Sequence, residues 1–303
     1  MGESTAFSPG HITGIFRIHD KPGDPLKKGS WGAGVSITRG VTTTVNTRNS
    51  SRHSSKIRIN DEITKSAKVS EHVINTLLSH ARKKSRIIVD HDVKIPIGSG
   101  FGSSGAGALG LAIALNEALS CEFSRIEAVE IAHIAEVDCR TGLGTVMAEA
   151  SGGLEIRTKP GGPSVGEIRK IPVDDDYAVA CLSFGPISTG EVLTNEKFRQ
   201  LINKFGRDLL DRLIAEPKPQ AFMALSRKFA EHIGLMSPRV RRILKETDSE
   251  GLTCSMAMLG ETVFSLVKRE QIKDLLKIFR RHAPSEQSII TSEIDFQGAR
   301  LLD

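Results

Sequence analysis

A glycine-rich segment at residues 96–110 restricts the possible folds more than any other part of the sequence. It contains six glycines and three serines. Residues 86–95 alternate between polar and apolar side chains, which predicts a β-strand, and residues 106–119 are small and mostly apolar, which predicts a helix. A glycine-rich turn that leads into a helix presents unpaired backbone N–H groups at the positive end of the helix dipole, where phosphate groups bind. The segment therefore predicts a nucleotide-phosphate site, with an ordinary glycine-serine turn as the alternative.

Three types of phosphate loop differ in their spacing. The Walker pattern is excluded because no lysine follows any of these glycines. The dinucleotide pattern G-x-G-x-x-G matches from Gly100, but it requires a second strand about 20 residues later, where residues 124–137 predict a helix. The third pattern, P-x-x-x-G-[LF]-G-S-S-[AG]-A, is filled in register and is similar to the ATP loop of the GHMP kinases. This resemblance implies that ATP is bound by Pro96, Gly98, Gly100, Phe101, Gly102, Ser103, Ser104, Gly105 and Ala106.

Two other segments resemble motifs of the same family. Residues 7–16 resemble its first motif, which lies beside the acceptor and the transferred phosphate, and His11 stands where many members carry a basic residue. His11 could donate to the charge that develops on the phosphate, or it could be a structural histidine. Residues 255–264 occupy the place of the third motif, although only Gly260 remains of its glycine cluster, and a plain hairpin is the alternative.

The resemblance also implies a magnesium ion and a set of catalytic residues. In the family a loop serine and an acidic residue on the next helix hold the metal, and Ser104 and Glu136 match those positions. The alternative for Glu136 is an exposed glutamate at the end of a helix. We therefore predict Ser104, Glu136 and His11 as the catalytic residues, with ATP and Mg²⁺ as cofactors.

The position of the family's usual catalytic aspartate holds Thr145, which cannot accept a proton at neutral pH. One interpretation is that the acceptor hydroxyl loses its proton late, since phosphoryl transfer depends mainly on positioning and electrostatics. The other is that Asp138 or Glu149 approaches from nearby. We favour the first interpretation.

Four short segments resemble one branch of the family, which phosphorylates a small hydroxy acid; they are residues 8–14, 29–34, 141–144 and 186–189. The carboxylate of such an acceptor needs a cationic or amide partner. The candidates are His11, Arg17 and Arg157, and the sequence does not choose between them. The polar residues 46–56, predicted to form a surface loop, lie where family members enclose adenine.

Composition narrows the class of protein further. The formal net charge is +5, which suits anionic substrates, but the basic residues are scattered, and one Trp and one Tyr offer few platforms for stacking bases. No apolar run approaches the roughly 20 residues of a membrane span, and no signal peptide begins the chain, so we expect a cytoplasmic protein. The four cysteines are widely spaced, which predicts reduced thiols and no zinc site.

The resemblance implies an α+β chain with the two-domain GHMP-kinase fold. Residues 1–168 are predicted to form a ribosomal-protein-S5-like, ATP-binding domain, and residues 169–303 a ferredoxin-like two-layer domain. The boundary follows the proline- and glycine-rich residues 159–163. In the second half of the chain, the sequence pattern predicts strands at residues 177–184, 252–259 and 262–267. A homodimer is a possible assembly.

Three alternatives remain open at this stage. A different GHMP kinase would act on homoserine or a mevalonate-type acid. A catalytically silent nucleotide-binding sensor would explain the missing aspartate and the reduced third motif. An RNA-binding protein would fit the resemblance of the first domain to a ribosomal protein, and it would bind nucleic acid with a steep dependence on salt.

Overall fold

The computed structural model describes residues 2–64, 66–81 and 83–302. It contains two β-sheets, one of eight strands and one of four, with helices packed against both. The predicted α+β class is therefore confirmed.

The first sheet is organised around two long antiparallel strands. Its strands are β1 (Gly2–His19), β2 (Gly29–Asn49), β3 (Ser54–Ile59), β4 (Glu62–Ile63), β5 (Ser85–Val93), β6 (Leu154–Lys159), β7 (Glu167–Lys170) and β12 (Arg300–Leu302). The second half of β2 pairs with β5, whereas its first half pairs with β6, so the sheet divides into two branches along this strand. Val41, Thr43 and Val45 on β2 are buried and alternate with half-buried residues, as expected for a strand with one covered face.

Four helices belong to this half of the chain: α1 (Lys68–His80), α2 (Ser103–Leu119), α3 (Arg125–Cys139) and α4 (Thr145–Ser151). Helix α2 packs on β1 and β2, and α1 and α3 pack against α2. Helix α3, which the sequence predicts over residues 124–137, begins with a capping box: the Ser124 side chain accepts from the Glu127 N–H, and the Glu127 carboxylate accepts from the Ser124 N–H. The small side chains of α2 let this helix pack close to β1 and β2, and this packing sets the position of its first turn.

The second sheet has the strand order β11-β8-β10-β9, with every neighbouring pair antiparallel. Its strands are β8 (Tyr177–Pro186), β9 (Ser255–Met256), β10 (Gly260–Lys268) and β11 (Ile289–Ser292). The helices of this half of the chain are α5 (Thr189–Thr194), α6 (Glu196–Ala215), α7 (Pro219–Ile233), α8 (Pro238–Ser249) and α9 (Ile272–His282). Numbered within this sheet, the strands lie in the order 4-1-3-2, which is the ferredoxin-like arrangement that the resemblance implies. One hydrophobic core extends from this sheet to β1 and β2, and within it Phe16 and Phe229 meet edge to face at 5.9 Å.

The final residues return to the first sheet. Strand β12 pairs with β1, and Ile294 bridges to Ile37 on β2. The Gly153 N–H donates to the Asp295 carbonyl at 2.6 Å, and the Ala299 N–H donates to the Glu149 carbonyl at 3.0 Å. This C-terminal segment, residues 294–302, therefore holds the end of α4 and the turn that follows it.

Several predicted details differ from the structure. Residues 46–56 are not one loop, because β2 continues to Asn49 and β3 begins at Ser54. The predicted strand at 252–259 is wrong for most of its length, since β9 has only two residues. The predicted domain boundary at 168 falls within β7, which pairs with β6 in the first sheet, and the division into two domains stays a prediction. No helix in the described part of the chain is long and apolar enough to cross a membrane.

Candidate active site

The glycine-rich loop enters α2 through three residues with positive φ. Gly98, Gly100 and Gly102 have φ of +73°, +88° and +69°, a region that favours glycine. Gly102 is the N-cap of α2, and no side chain caps this end of the helix. The first N–H groups of α2 are therefore available to an anion, as the sequence predicts.

Both of the other predicted motifs contact this loop. The His11 N–H on β1 donates to the Phe101 carbonyl at 2.9 Å. The Thr262 hydroxyl on β10 donates to the Ser99 carbonyl at 2.8 Å. A Cβ on Gly260 would lie 2.0 Å from the Ser99 backbone, so only glycine permits this approach. Two segments that are distant in sequence thus meet at the glycine-rich loop.

The predicted pair Ser104 and Glu136 is brought together. The Ser104 hydroxyl donates to Glu136 Oε1 at 2.5 Å, and the Thr141 hydroxyl donates to the same oxygen at 2.6 Å. Glu136 is only 3% exposed, so the alternative of an exposed glutamate at a helix end is wrong. Burial raises the pKa of this carboxyl, while the two hydroxyls oppose the shift. A cation beside Glu136 would stabilise its charged form.

His11 belongs to a buried network with two residues of β6. His11 Nε2 lies 3.1 Å from Glu155 Oε1, and the Thr13 hydroxyl lies 3.3 Å from His11 Nδ1. Arg157 Nη1 donates to the same Glu155 oxygen at 2.6 Å. Burial lowers the pKa of His11 and outweighs Glu155, which raises it, so the neutral form of the ring is favoured.

The network still has unused hydrogen-bonding capacity. Arg157 Nε and Glu155 Oε2 are buried and have no partner among the described residues. Glu155 was not predicted from the sequence as a site residue. The available signal was a Glu and an Arg two residues apart among apolar residues, and the structure buries the first four positions of this strand. Charges on a buried strand need partners or a ligand.

The carboxyl groups near the aspartate position differ in their surroundings. Thr145, the first residue of α4, lines the central cavity. Asp138 lies at the surface, where it contacts His72 at 3.2 Å, so it does not approach the site. Glu149 is fully buried behind the glycine-rich loop and does not line the cavity.

Two neighbouring cavities adjoin the glycine-rich loop. The central cavity, of about 120 Å³, is lined by residues of the loop, by Glu136, Thr145 and Arg157, and by Met258 and Leu259. The second, of about 300 Å³, lies on the other side of Ser103 and Ser104, and apolar side chains dominate its lining. These side chains are Val41, Ile59, Ala67, Val69, Val93 and Ile97.

Two of the predicted binding elements, Arg17 and residues 46–56, line neither cavity. The Arg17 guanidinium stacks over the Trp31 ring at 4.2 Å and does not line the central cavity. Residues 46–56 do not line the apolar cavity; its wall is formed instead by residues 66–70, at the start of α1, together with β5 and the loop.

The comparison with known proteins first defines the class. Residues 66–153 match the family model described as the GHMP kinases N terminal domain. A solved structure described as a phosphotransferase related to the CoA biosynthesis pathway has a TM-score of 0.89 and 32% identity, and covers 99% of this chain and 98% of that one. The chain therefore belongs to the GHMP kinase family.

Curated relatives within that family narrow the comparison to one branch. The chain is 38% identical to the pantoate kinase of Methanocaldococcus jannaschii, over 90% of this chain and 96% of that one. It is 37% identical to the pantoate kinase of Thermococcus kodakarensis, over 88% of each chain. The pantoate kinases are the branch whose four short segments the sequence resembles.

Proposed function

We propose that this protein is an ATP-dependent kinase that phosphorylates the terminal hydroxyl of (R)-pantoate, giving (R)-4-phosphopantoate for coenzyme A biosynthesis. The observation that carries the proposal is the 38% identity to a pantoate kinase over 90% of the chain. The geometry supports it, because three family motifs meet around one cavity. The reaction transfers the γ-phosphoryl group of ATP to the acceptor oxygen, ADP leaves with the bridging oxygen, and the hydroxyl proton passes to water or phosphate.

The nucleotide phosphates fit the entrance of α2. Backbone N–H groups between Gly100 and Ala106 and the Ser103 hydroxyl would hold them, with the positive end of the helix dipole behind. The apolar cavity beside Ser103 would enclose the adenine ring, because its wall offers aliphatic surface on two sides. This assignment replaces residues 46–56 with residues 66–70 as the adenine segment.

Magnesium fits the pair Ser104 and Glu136. Both side chains present hard oxygens, and magnesium usually takes one or two protein ligands and completes its shell with phosphate oxygens and water. Glu136 is buried beside two hydroxyls and no cation pairs with it in the described part of the chain, so a metal ion would relieve its desolvation. When bound, the ion would neutralise charge on the transferring phosphoryl group.

Arg157 is the best candidate for the partner of the acceptor carboxylate. It lines the central cavity, it is 4% exposed, and its Nε has no partner among the described residues. A guanidinium can bind a carboxylate through two parallel hydrogen bonds. His11 is neutral and both of its ring nitrogens are engaged, so we assign it the role of orienting Glu155. Arg17 lies away from the cavity.

The structure favours transfer without a carboxylate base. Thr145 lines the cavity in the aspartate position, and Asp138 is remote. Burial and the nearby charge of Glu136 raise the pKa of Glu149 well above its ordinary value, which favours the protonated form. Glu149 also does not line the central cavity, so it is not placed to accept the acceptor proton. Alignment of the reactants and stabilisation of phosphoryl charge would then supply the acceleration.

The experiment that tests the proposal measures ADP release from ATP and magnesium with pantoate, homoserine, mevalonate or no acceptor. Turnover confined to pantoate is the expected result. Turnover with only another acceptor would keep the family and reject pantoate. Binding of ATP without any turnover would favour the nucleotide sensor, and salt-sensitive binding of RNA would favour the third alternative. A homodimer and a cytoplasmic location stay predictions.

A further inference from the structure

Glu149 has an environment that the proposed reaction does not explain. It lies on α4, its side chain is completely buried, and neither carboxyl oxygen has a hydrogen-bond partner within the described residues. A Cβ on Gly102 would lie 2.4 Å from Glu149 Oε1, and a Cβ on Gly105 would lie 2.8 Å from Oε2. The carboxyl group therefore fills the space that two absent side chains leave beneath the first turn of α2.

The charged groups around Glu149 do not form an ion pair with it. Burial is the main cause that raises the pKa of Glu149; the charge of Glu136 on α3 raises it further, and Arg157 on β6 lowers it. His11 on β1, whose carbonyl borders the same space, is neutral. With no hydrogen-bond partner to offset desolvation, burial favours the uncharged form of this side chain.

Contacts that fix the position of α4 allow the Glu149 carboxyl to support the glycine-rich loop. The Glu149 backbone carbonyl accepts from the Ala299 N–H at 3.0 Å, so the C-terminal segment holds the residue from behind. In the proposed function, the uncapped N–H groups of the first turn of α2 would bind phosphate. An ionised carboxylate at this point would compete with the phosphates for the positive end of α2.

We infer that Glu149 is a positioning residue, which supports the phosphate loop beneath Gly102 and Gly105 through the shape of its buried side chain. The inference rests on the proposed function, because it assumes that this loop binds ATP. The role of Glu149 then lies in the shape of its side chain and not in a negative charge. A neutral side chain of the same shape should replace Glu149, whereas a shorter side chain should leave the loop unsupported and weaken nucleotide binding.

The test compares the full-length wild type with E149Q, E149A and the control E250Q. Glu250 is an exposed residue at the end of α8, and it lines neither of the two cavities. Titration calorimetry gives the Kd for MgATP, steady-state assays give KM for ATP, KM for pantoate and kcat, and thermal unfolding confirms that each variant is folded. We expect E149Q and E250Q to match the wild type within about twofold. We expect E149A to raise Kd and KM for ATP about tenfold, equivalent to about 1.4 kcal/mol, with KM for pantoate unchanged.

Specific results would overturn the inference. A tenfold loss of ATP affinity in E149Q would show that the ionised carboxylate is needed. Unchanged ATP affinity in E149A would show that the loop needs no support from this side chain. Equal losses in every kinetic constant would indicate general damage. If E149A does not fold, E149D, which withdraws the carboxyl by one methylene, takes its place with the same expectation. A wild type that binds no ATP would refute the proposed function itself, and the inference with it.

Discussion

Replacing Gly102 with alanine should destabilise the protein by several kcal/mol. A non-glycine residue at φ +69° costs about 1–2 kcal/mol. The new Cβ would also lie 2.4 Å from Glu149 Oε1 and 2.6 Å from Thr145 Cγ2, in a region too tightly packed to give way freely. Overpacking of this kind costs about 1–3 kcal/mol. The sum, about 2–5 kcal/mol, is a large share of the stability of an ordinary domain.

Gly107, which lies within α2, provides the matched control for the N-cap residue Gly102. Gly107 does not have positive φ, and its added Cβ would meet nothing closer than the His91 ring at 3.8 Å. Gly107→Ala should therefore stabilise the protein by about 0.8–1 kcal/mol through helix propensity alone. Urea unfolding followed by circular dichroism measures both changes in the free energy of unfolding.

The two variants should thus move stability in opposite directions. Adding Thr145→Ser to Gly102→Ala removes the Cγ2 methyl, and it should recover part of the loss. If Gly102→Ala lies within about 0.5 kcal/mol of the wild type, the left-handed turn and its close packing do not exist as described.

The other predictions concern the acceptor, the metal and the effect of pH. Arg157→Lys should raise KM for pantoate at least about tenfold while KM for ATP stays within about twofold, because lysine cannot make two parallel bonds to a carboxylate; initial-rate kinetics would contradict this if both KM values rose together. Glu136→Gln should lower kcat at least about 100-fold yet spare the Kd for magnesium-free ATP, since the loss of the metal site removes several kcal/mol of transition-state stabilisation; full turnover at saturating magnesium would exclude Glu136 as a ligand. In the unfolded chain Glu149 loses its proton near pH 4.5, whereas the folded chain retains it, so wild-type stability falls by about 1.4 kcal/mol per pH unit from there up to the folded pKa. E149Q lacks this loss, and its advantage in unfolding free energy over the wild type should grow from pH 4 to pH 7; an advantage that does not change with pH would show that the folded carboxyl is ionised.

Local sequence patterns were sufficient to predict the parts of the site that lie on regular elements. The glycine spacing predicted a turn into a helix, and φ is positive at Gly98, Gly100 and Gly102. The family resemblance pointed to Ser104 and Glu136, and their oxygens lie 2.5 Å apart. The ferredoxin-like strand order also agrees with the resemblance, because it depends on the sequence of elements and not on their exact ends.

The parts that were missed depend on contacts between distant residues. Helix α4 has only seven residues, too few for a periodic pattern, and its position comes from packing against α2 and the C-terminal segment. Strand β9 has only two residues, because the apolar run around it is buried as an irregular segment beneath α7. The network of His11 with Glu155 spans 144 positions, and no local pattern indicates which buried histidine meets which carboxylate.

The return of the C-terminal segment to the first sheet has a consequence for how the protein is made. Residues 295–299 hold the turn after α4 and the Glu149 carbonyl, and they are synthesised after every described strand of the two sheets except β12. A nascent chain that stops before Asp295 would contain the glycine-rich loop, Ser104 and Glu136, yet it would lack the contacts that fix α4 behind them. The site would therefore be fully supported only after residue 299 has been synthesised, and we expect chains truncated before Asp295 to bind nucleotide weakly.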